Sequence, residues 1–310
     1  MQKSYNQTVN ISSSIIIYYI HIFCEFIFFA IEKRKNLLNL RKTILFINLI
    51  IFLITLLGCS SNIPTPNERK QTALDLSSSN KNIIQKDIQT SQFNLFSLQK
   101  LQNNCSNIKV FVEGDGLSWI TRNTISSNPT PINPIGLKLM LSDNSSCKIY
   151  LARPCQYINS NMCEDKYWTS HRFNEKVIQS YDEVLTNLKK DFPNSKFDLI
   201  GYSGGGAVVT LVATKRDDIN SITTIAGNLD IDEWTKIQKI TPLDGSLNPA
   251  NFSKKLENIK QHHLIGTNDT VVPKEIFYSY QSKFENKSNI SYSFYEATHS
   301  CCWENFYGKF

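Results

Sequence analysis

The segment from Phe197 to Ala213, FDLIGYSGGGAVVTLVA, constrains the fold of this chain more than any other part of its 310 residues. A β-rich run leads into a glycine-rich turn, and helical spacing continues from Ala207. A strand that passes through a tight turn directly into a helix leaves the turn residue, Ser203, with its hydroxyl in a cleft. Gly201 and Gly205 permit the close backbone approach that such a turn needs. A phosphate-binding turn would show G-x-G-x-x-G or end in Lys-Ser/Thr, and this turn shows neither pattern.

Strands and helices alternate through the region that follows residue 91, which we interpret as one domain, residues 92–310. We predict strands at 93–99, 108–112, 148–152, 197–201, 221–226, 262–266 and 290–294, and helices at 173–190, 207–215 and 273–284. This order predicts an α/β fold with a mostly parallel central sheet covered by helices on both faces. Functional residues in such sheets lie where the strands end, which here means after Val112, Ile200, Gly266 and Phe294.

Ser203 is a candidate nucleophile, and its chemistry requires a base and an acid later in the chain. A serine hydroxyl attacks once a base takes its proton, and a carboxylate must hold that base. His299 follows the predicted last strand and is the candidate base. Asp269, in the segment GTNDTVVP, follows another strand and is the candidate acid, with Asp230 or Asp232 as alternatives one strand earlier. The other histidines of the domain are interpreted as structural or solvated: His171, His262 and His263.

Backbone N–H groups are expected to stabilise an oxyanion near Ser203. Gly204, at the start of the helix, is one candidate donor. The segment EGDGLSW follows Val112, and we expect Asp115 or Gly116 to supply the second donor. Acidic side chains disfavour an oxyanion, so Glu113 and Asp115 are expected to point away or to bind a polar substrate group. A metal site here would need His or Cys ligands at suitable spacing, which the sequence lacks, so we predict no metal and no cofactor.

The first 58 residues have the pattern of a leader. Basic residues at 41–42 precede an apolar core at 43–57, and the sequence LLGC then ends the segment at Cys59. This ending is similar to the lipobox of bacterial lipoproteins. The resemblance implies a lipid on Cys59 and, from Ser60, an outer-membrane location facing the periplasm. The alternative is an uncleaved membrane anchor with an incidental cysteine.

Two features around this leader allow further predictions about the N-terminal region. A first apolar stretch, residues 15–31, is either a membrane helix or part of an N-terminal extension, 1–39, ahead of a signal peptide at 40–58. Residues 59–91 are rich in Ser, Asn, Gln, Lys and Thr and are predicted to form a flexible tether.

The net positive charge is concentrated in this leader rather than in the domain. The first 58 residues hold six of the 33 Lys/Arg and two of the 27 acidic residues, which leaves 27 basic and 25 acidic residues beyond them. Nucleic-acid binding needs a concentrated basic surface, so this near-neutral remainder argues against it. The expected partners are a small-molecule, lipid or peptide substrate and, through the lipid, a membrane.

Eight cysteines occur, and six of them follow the leader: Cys105, Cys147, Cys155, Cys163, Cys301 and Cys302. An even number in an exported domain predicts disulfides, and six cysteines allow 15 connectivities. The first two each precede a predicted strand, and those strands would be neighbours. The next two bracket a short loop. The last two form either a vicinal pair or a link to another loop.

Several segments together are similar to a group of bacterial α/β-hydrolase lipoproteins: FVEGDGLSW, LARPCQY, YWTSHRF, GYSGGGAV, AGNLD, GSLNP and HSCCW. The resemblance implies the α/β-hydrolase fold and a Ser-His-Asp triad, but no substrate, because a fold does not fix a function. Two hypotheses follow: a serine hydrolase of an ester, thioester or amide, and a non-catalytic binding or scaffolding lipoprotein. Residues 227–260 lie between two strands and are expected to form a small lid that selects the substrate.

Overall fold

A computed structural model of the chain describes residues 18–23, 44–50, 63–80, 82–158 and 160–308. The chain divides into two units, Met1–Asn62 and Ile63–Phe310. Residues 18–23 and 44–50 of the first unit are helical. None of the helices that the structure describes is both long enough and apolar enough to cross a membrane. Cys59 and most of the predicted signal peptide lie outside the described residues.

The second unit contains the predicted α/β domain. Its helices are α1 (Pro66–Ser78), α2 (Ile135–Ser142), α3 (Glu175–Asp191), α4 (Gly204–Ala213), α5 (Ile231–Gln238), α6 (Ser253–Leu256) and α7 (Lys274–Ser282). Its strands are β1 (Ile84–Gln85), β2 (Ile88–Gln89), β3 (Asn94–Leu95), β4 (Ser97–Lys100), β5 (Asn107–Val112), β6 (Trp119–Thr121), β7 (Thr124–Ile125), β8 (Lys148–Leu151), β9 (Lys196–Tyr202), β10 (Ile219–Ile225), β11 (Lys260–Gly266) and β12 (Ile290–Tyr295).

Eight strands form the main sheet in the order β1-β4-β8-β5-β9-β10-β11-β12. The six strands from β8 to β12 in this order are parallel, while β4 and β1 add an antiparallel edge. The pairs β2–β3 and β6–β7 form two small separate sheets. The prediction of a mostly parallel sheet in an α/β fold is confirmed. The strand predicted at 93–99 is divided between β3 and β4, and only β4 joins the main sheet.

Helices cover both faces of the sheet, because side chains alternate along each strand. In β5, Val110 and Val112 pack into one core with α3 and α4, while Phe111 points to the opposite core. That second core contains apolar side chains of α2 and the fully buried Trp303 near the C-terminus. Because these strands run parallel, the carboxyl ends of β5, β9, β11 and β12 lie at one edge of the sheet.

The long helix α3 shows why these residues form a helix. Asn174 caps its start by accepting a hydrogen bond from the Lys176 N–H at 3.0 Å. Its buried residues recur at helical spacing: Val177, Ile178, Ser180, Tyr181, Val184, Leu185 and Leu188. Lys189 and Lys190 lie in the last turn, where cations favour the helix dipole, and a proline follows at position 193.

The prediction of a flexible tether over 59–91 is wrong for the parts that form α1, β1 and β2. Thr65 and Glu68 form a capping box at the start of α1, with Pro66 in the first turn. Ala73 is fully buried in the second core, and the Arg69 guanidinium donates to the carbonyl of Thr130. The helix was not predicted because its composition is polar: few of its side chains are buried, and the rest are solvated.

Three disulfides join the six cysteines of the domain: Cys105–Cys147, Cys155–Cys163 and Cys301–Cys302. The first lies just before β5 and β8, which pair in parallel as neighbours. The second closes the short loop that its cysteines bracket. The vicinal alternative for the last two cysteines is the one that the structure adopts.

We expect the Cys105–Cys147 disulfide to stabilise the domain more than the vicinal pair does. Its cysteines are 42 residues apart, and the loop-entropy relation gives about 4 kcal/mol for a loop of that length against about 1 kcal/mol for adjacent residues. Urea unfolding of C105S/C147S should show a loss of about 4 kcal/mol in the free energy of unfolding. C301S/C302S is the control, and equal losses in both variants would contradict the loop-length argument.

Candidate active site

Ser203 lies in a sharp turn between β9 and α4. Its backbone has φ 52° and ψ −119°, a strained conformation for a residue with a side chain. The Ser203 N–H donates to the Ile225 carbonyl at 2.9 Å, which fixes the turn against the neighbouring strand β10. A Cβ atom on Gly201 would lie 2.3 Å from the carbonyl oxygen of Gly205. A Cβ atom on Gly205 would lie 2.4 Å from the carbonyl oxygen of Val112, so the turn requires both glycines.

The side chains of Ser203, His299 and Asp269 form a hydrogen-bonded chain. His299 Nε2 lies 2.9 Å from Ser203 Oγ, and His299 Nδ1 lies 2.8 Å from Asp269 Oδ2. The other oxygen, Asp269 Oδ1, accepts from the N–H groups of Val271 and Val272, each at 2.8 Å. The Asp269 side chain is fully buried, whereas that of His299 is 16% exposed. A carboxylate beside Nδ1 favours the proton there and leaves Nε2 free to accept the serine proton.

Two side chains that the sequence analysis missed hold the backbone of His299. The Tyr202 hydroxyl and the Trp303 indole N–H both donate to the His299 carbonyl, each at 2.9 Å. Burial raises the pKa of Tyr202, so its hydroxyl stays protonated and able to donate. Tyr202 precedes the candidate nucleophile, and its position in GYSGG is the sequence signal that could have identified it.

The rival carboxylates lie elsewhere. Asp230 caps α5 and accepts from Asn248 Nδ2 at 2.9 Å and from Ser279 Oγ at 2.7 Å. Asp232 also accepts from Asn248 Nδ2, at 2.9 Å. These contacts give both residues a structural role in the segment between β10 and β11.

The other histidines of the domain have structural contacts. His263 is buried and shares a hydrogen bond with Thr224 at 2.7 Å. Burial lowers the pKa of His263 to about 3, which keeps its ring neutral. His171 packs against Gly245, and its Nδ1 lies 2.8 Å from Ser170 Oγ. His262 Nδ1 lies 2.7 Å from the hydroxyl of Ser291.

The segment predicted as a lid, 227–260, contains α5 and α6. Trp234 donates its indole N–H to the Val271 carbonyl at 2.7 Å and lies below the guanidinium of Arg172. Three other apolar residues of the segment are partly buried against the main core: Leu243, Leu247 and Phe252. Through Trp234, α5 therefore contacts the segment that follows Asp269.

Glu113 points into the protein rather than toward Ser203. Its Oε1 accepts from the Gly114 and Gly136 N–H groups at 2.9 and 3.1 Å. Its Oε2 accepts from the Leu137 N–H at 3.3 Å and the Tyr150 hydroxyl at 3.0 Å. Burial raises the pKa of Glu113, against the effect of these four donors. The carboxyl thus joins the end of β5 to the start of α2, a helix that the sequence analysis did not predict.

The candidate oxyanion donors lie next to the Ser203 turn. The first N–H groups of a helix have no acceptor within that helix, which applies to Gly204. The N–H of Gly114 is used by Glu113. In the part of the chain that the structure describes, no group accepts a hydrogen bond from the N–H of Asp115 or Gly116. These three N–H groups, of Gly204, Asp115 and Gly116, remain the candidates for an oxyanion site.

Two arginines bind the carboxylate of Asp115. Arg153 Nη1 donates to Oδ1 at 2.8 Å, and Arg172 Nη1 donates to Oδ2 at 2.7 Å. Burial acts to raise the pKa of Asp115, but the charges and hydrogen bonds of the two arginines outweigh it and hold that pKa below its usual value. A Cβ atom on Gly204 would lie 2.1 Å from Asp115 Oδ1. The carboxylate therefore packs directly against the residue that follows the candidate nucleophile. Both arginines lie in segments that were quoted for the family resemblance, LARPCQY and YWTSHRF, but neither was among the predicted site residues.

Solved structures with this architecture include known hydrolases. An esterase from Pyrococcus furiosus superposes with a TM-score of 0.53 at 15% identity, over 79% of this chain and 91% of that one. Est1E from Butyrivibrio proteoclasticus gives 0.50 at 15% identity, over 72% and 93%. An alpha-beta serine hydrolase homologue from Coxiella burnetii gives 0.50 at 13% identity, over 70% and 89%. This chain has the α/β-hydrolase fold.

Sequence comparison adds little to this result. No family model matches the chain. Uroporphyrinogen decarboxylase from Orientia tsutsugamushi strain Boryong is 30% identical over 99 residues, or 32% of this chain. The same enzyme from strain Ikeda is 29% identical over the same length. The chain spans 28% of the length of these curated relatives, and a match of this extent does not establish a shared fold or activity.

Within the α/β-hydrolase fold, the site has parts suited to acyl transfer. A strained turn holds the hydroxyl, an imidazole faces it, and a buried carboxylate orients the imidazole. N–H groups that have no acceptor among the described residues lie nearby. Among the described residues there is no cluster of three or more His, Cys, Asp or Glu side chains placed to hold a metal ion.

Proposed function

We propose that this chain is a serine hydrolase that cleaves an ester, thioester or amide through an acyl-enzyme intermediate. The observation that carries the proposal is the hydrogen-bonded chain from Ser203 through His299 to Asp269, with contacts of 2.9 and 2.8 Å. Each of the three residues lies at the carboxyl end of a strand of the main sheet or in the loop after it. The fold shared with esterases supports the same reaction class.

In the proposed reaction, His299 Nε2 takes the proton of the Ser203 hydroxyl as Oγ attacks the substrate carbonyl. Asp269 stabilises the imidazolium that forms. The N–H of Gly204 and an N–H of Asp115 or Gly116 stabilise the oxyanion. The intermediate then collapses, and His299 gives its proton to the leaving group. Water, activated by the same imidazole, hydrolyses the acyl-enzyme and restores the serine.

The test of this proposal is covalent labelling with a fluorophosphonate, which phosphonylates an activated serine. We expect labelling of the oxidised, folded protein, with the modified peptide mapped to Ser203. Absence of labelling would favour the other hypothesis, a binding or scaffolding protein on the same fold. A panel of p-nitrophenyl esters of increasing acyl length, thioesters and peptide amides would then identify the bond type.

We further propose that the domain is lipid-anchored in the bacterial cell envelope, facing the periplasm. The proposal rests on the sequence order of basic residues, apolar core, small residue and Cys59. Three disulfides in the domain agree with an oxidising compartment.

We expect Cys59→Ala to abolish incorporation of labelled palmitate and to release the domain from the membrane fraction. The reason is that a thiol at the cleavage site would be the point of attachment. Cys24→Ala is the matched control, since it removes the other cysteine of the leader and should leave labelling intact. Labelling that persists in Cys59→Ala would contradict the lipid-anchor proposal.

A further inference from the structure

The loop that supplies the candidate oxyanion donors is held by side chains from one distant segment. Gln156 Nε2 donates to the Gly114 carbonyl at 2.9 Å, on the N-terminal side of Asp115. Arg153 and Arg172 hold the Asp115 side chain itself. A Cβ atom on Gly116 would lie 2.7 Å from Gln156 Nε2, so the amide also packs against that glycine. Each residue of the Gly114–Gly116 loop therefore contacts one of these three side chains.

Each of the three side chains is fixed in turn. The side chains of Arg153 and Arg172 are 5% and 6% exposed. Arg153 Nη2 donates to the Arg172 carbonyl, and Arg172 Nε donates to the Thr169 carbonyl at 2.7 Å. Gln156 Oε1 accepts from the Arg153 N–H at 3.0 Å. Because backbone carbonyls hold both guanidinium groups, each group has one orientation. Its planar N–H donors then fix the orientation of the Asp115 carboxylate.

The turn that carries Gln156 is strained, and the strain is maintained by local bonds. Cys155 and Tyr157 have φ values of +68° and +64°, in the left-handed region that residues with side chains rarely adopt. The Cys155–Cys163 disulfide and a 2.8 Å hydrogen bond from the Tyr157 N–H to Thr130 hold this turn. A strained turn of this kind is unfavourable by itself and persists only where surrounding contacts hold it. Such turns are concentrated at functional sites.

We propose that Arg153, Gln156 and Arg172 are positioning residues that fix the Gly114–Gly116 backbone, so that the N–H of Asp115 or Gly116 completes an oxyanion hole with that of Gly204. The inference rests on the proposed function and goes beyond it. The arginines act through the Asp115 carboxylate, which packs on Gly204. The Asp115 loop and Gly204, the two parts of the candidate oxyanion site, therefore meet at this ion-paired carboxylate. Misplacement of a donor by about 1 Å is enough to reduce catalysis about 100-fold.

The test compares Arg172→Gln with wild type on a short p-nitrophenyl ester. We expect kcat to fall about 10- to 100-fold while KM changes by less than about twofold, because an oxyanion donor acts in the transition state. The affinity for a trifluoromethyl ketone, which forms a tetrahedral oxyanion adduct on the serine, should fall by a similar factor. Asp115→Asn is a second variant that preserves shape, and it should show the same pattern. Arg172→Lys should recover part of kcat, because it keeps the charge without the fork.

Arg216→Gln is the matched control. Arg216 also binds two carboxylates, those of Asp182 and Asp218 at 2.7 and 2.6 Å, and its side chain is 9% exposed. It lies just before β10, at the opposite end of the strands from Ser203. Loss of this guanidinium should lower the melting temperature and leave kcat unchanged.

The outcomes separate the two proposals. Failure of wild type both to turn over esters and to react with a fluorophosphonate would refute the proposed function. The positioning role would be overturned if wild type is active and the folded variants Arg172→Gln and Asp115→Asn have the same kcat as wild type. A rise in KM alone, at constant kcat, would also overturn it, since it would indicate that Arg172 binds substrate directly.

Discussion

Replacing Ser203 with alanine should abolish covalent labelling by a fluorophosphonate and reduce kcat by about 10⁴- to 10⁶-fold. The alanine removes the oxygen that His299 Nε2 contacts at 2.9 Å, so no acyl-enzyme can form. The hydrogen bond to Ile225 holds the Ser203 backbone, and neither this bond nor the strained φ of 52° involves the hydroxyl. The variant should therefore fold normally, with a melting temperature close to that of wild type.

A suitable control is Ser221→Ala, which removes a hydroxyl from the middle of the neighbouring strand β10. Ser221 donates to Asp198, remote from His299, so its loss should leave labelling unchanged. Equal labelling of wild type and Ser203→Ala would place the reactive serine elsewhere. It would also remove the main support for a serine hydrolase.

Asp269→Asn is the second large effect that we expect, with kcat about 10⁴-fold lower. Asp269 Oδ1 accepts two backbone N–H groups, so the carbonyl oxygen of an asparagine would occupy that position. Its NH₂ group would then face His299 Nδ1 and donate to it. The imidazole proton would move to Nε2, the atom that must accept the proton of Ser203. Binding of substrate should change little, so the loss should be seen in kcat rather than in KM.

Asp230→Asn provides the comparison, because Asp230 was the rival acid in the sequence. Asp230 caps α5 and binds Asn248 and Ser279, so its replacement should lower the free energy of unfolding without changing kcat. Urea unfolding and ester hydrolysis measured on both variants would separate the two roles. A loss of kcat in Asp230→Asn with full activity in Asp269→Asn would reverse the assignment of the acid.

Local patterns predicted the main strands and helices because each such pattern reflects which side chains are buried. The alternation of strands and helices was sufficient for the α/β architecture, and β9 and α4 lie within a few residues of their predicted bounds. Helix α1 was missed because it buries few side chains, among them Ala73 and Arg69, so its composition is that of a solvated segment. Helix α2 was missed because N–H groups of its first turn donate to Glu113, which lies 23 residues before Gly136.

The sequence by itself determined the strained Ser203 turn, because neighbouring residues form it. It also determined the order of serine, acid and histidine, because that order is their succession along the chain. Only the tertiary structure decided which acid contacts His299, and which side chains hold the Asp115 loop. The local sequence favoured Asp269 but left Asp230 open, because both residues follow strands. The choice depends on which strand end faces His299 across the sheet edge. The ion pairs of Asp115 with Arg153 and Arg172 span 38 and 57 residues, a range over which no local pattern carries information.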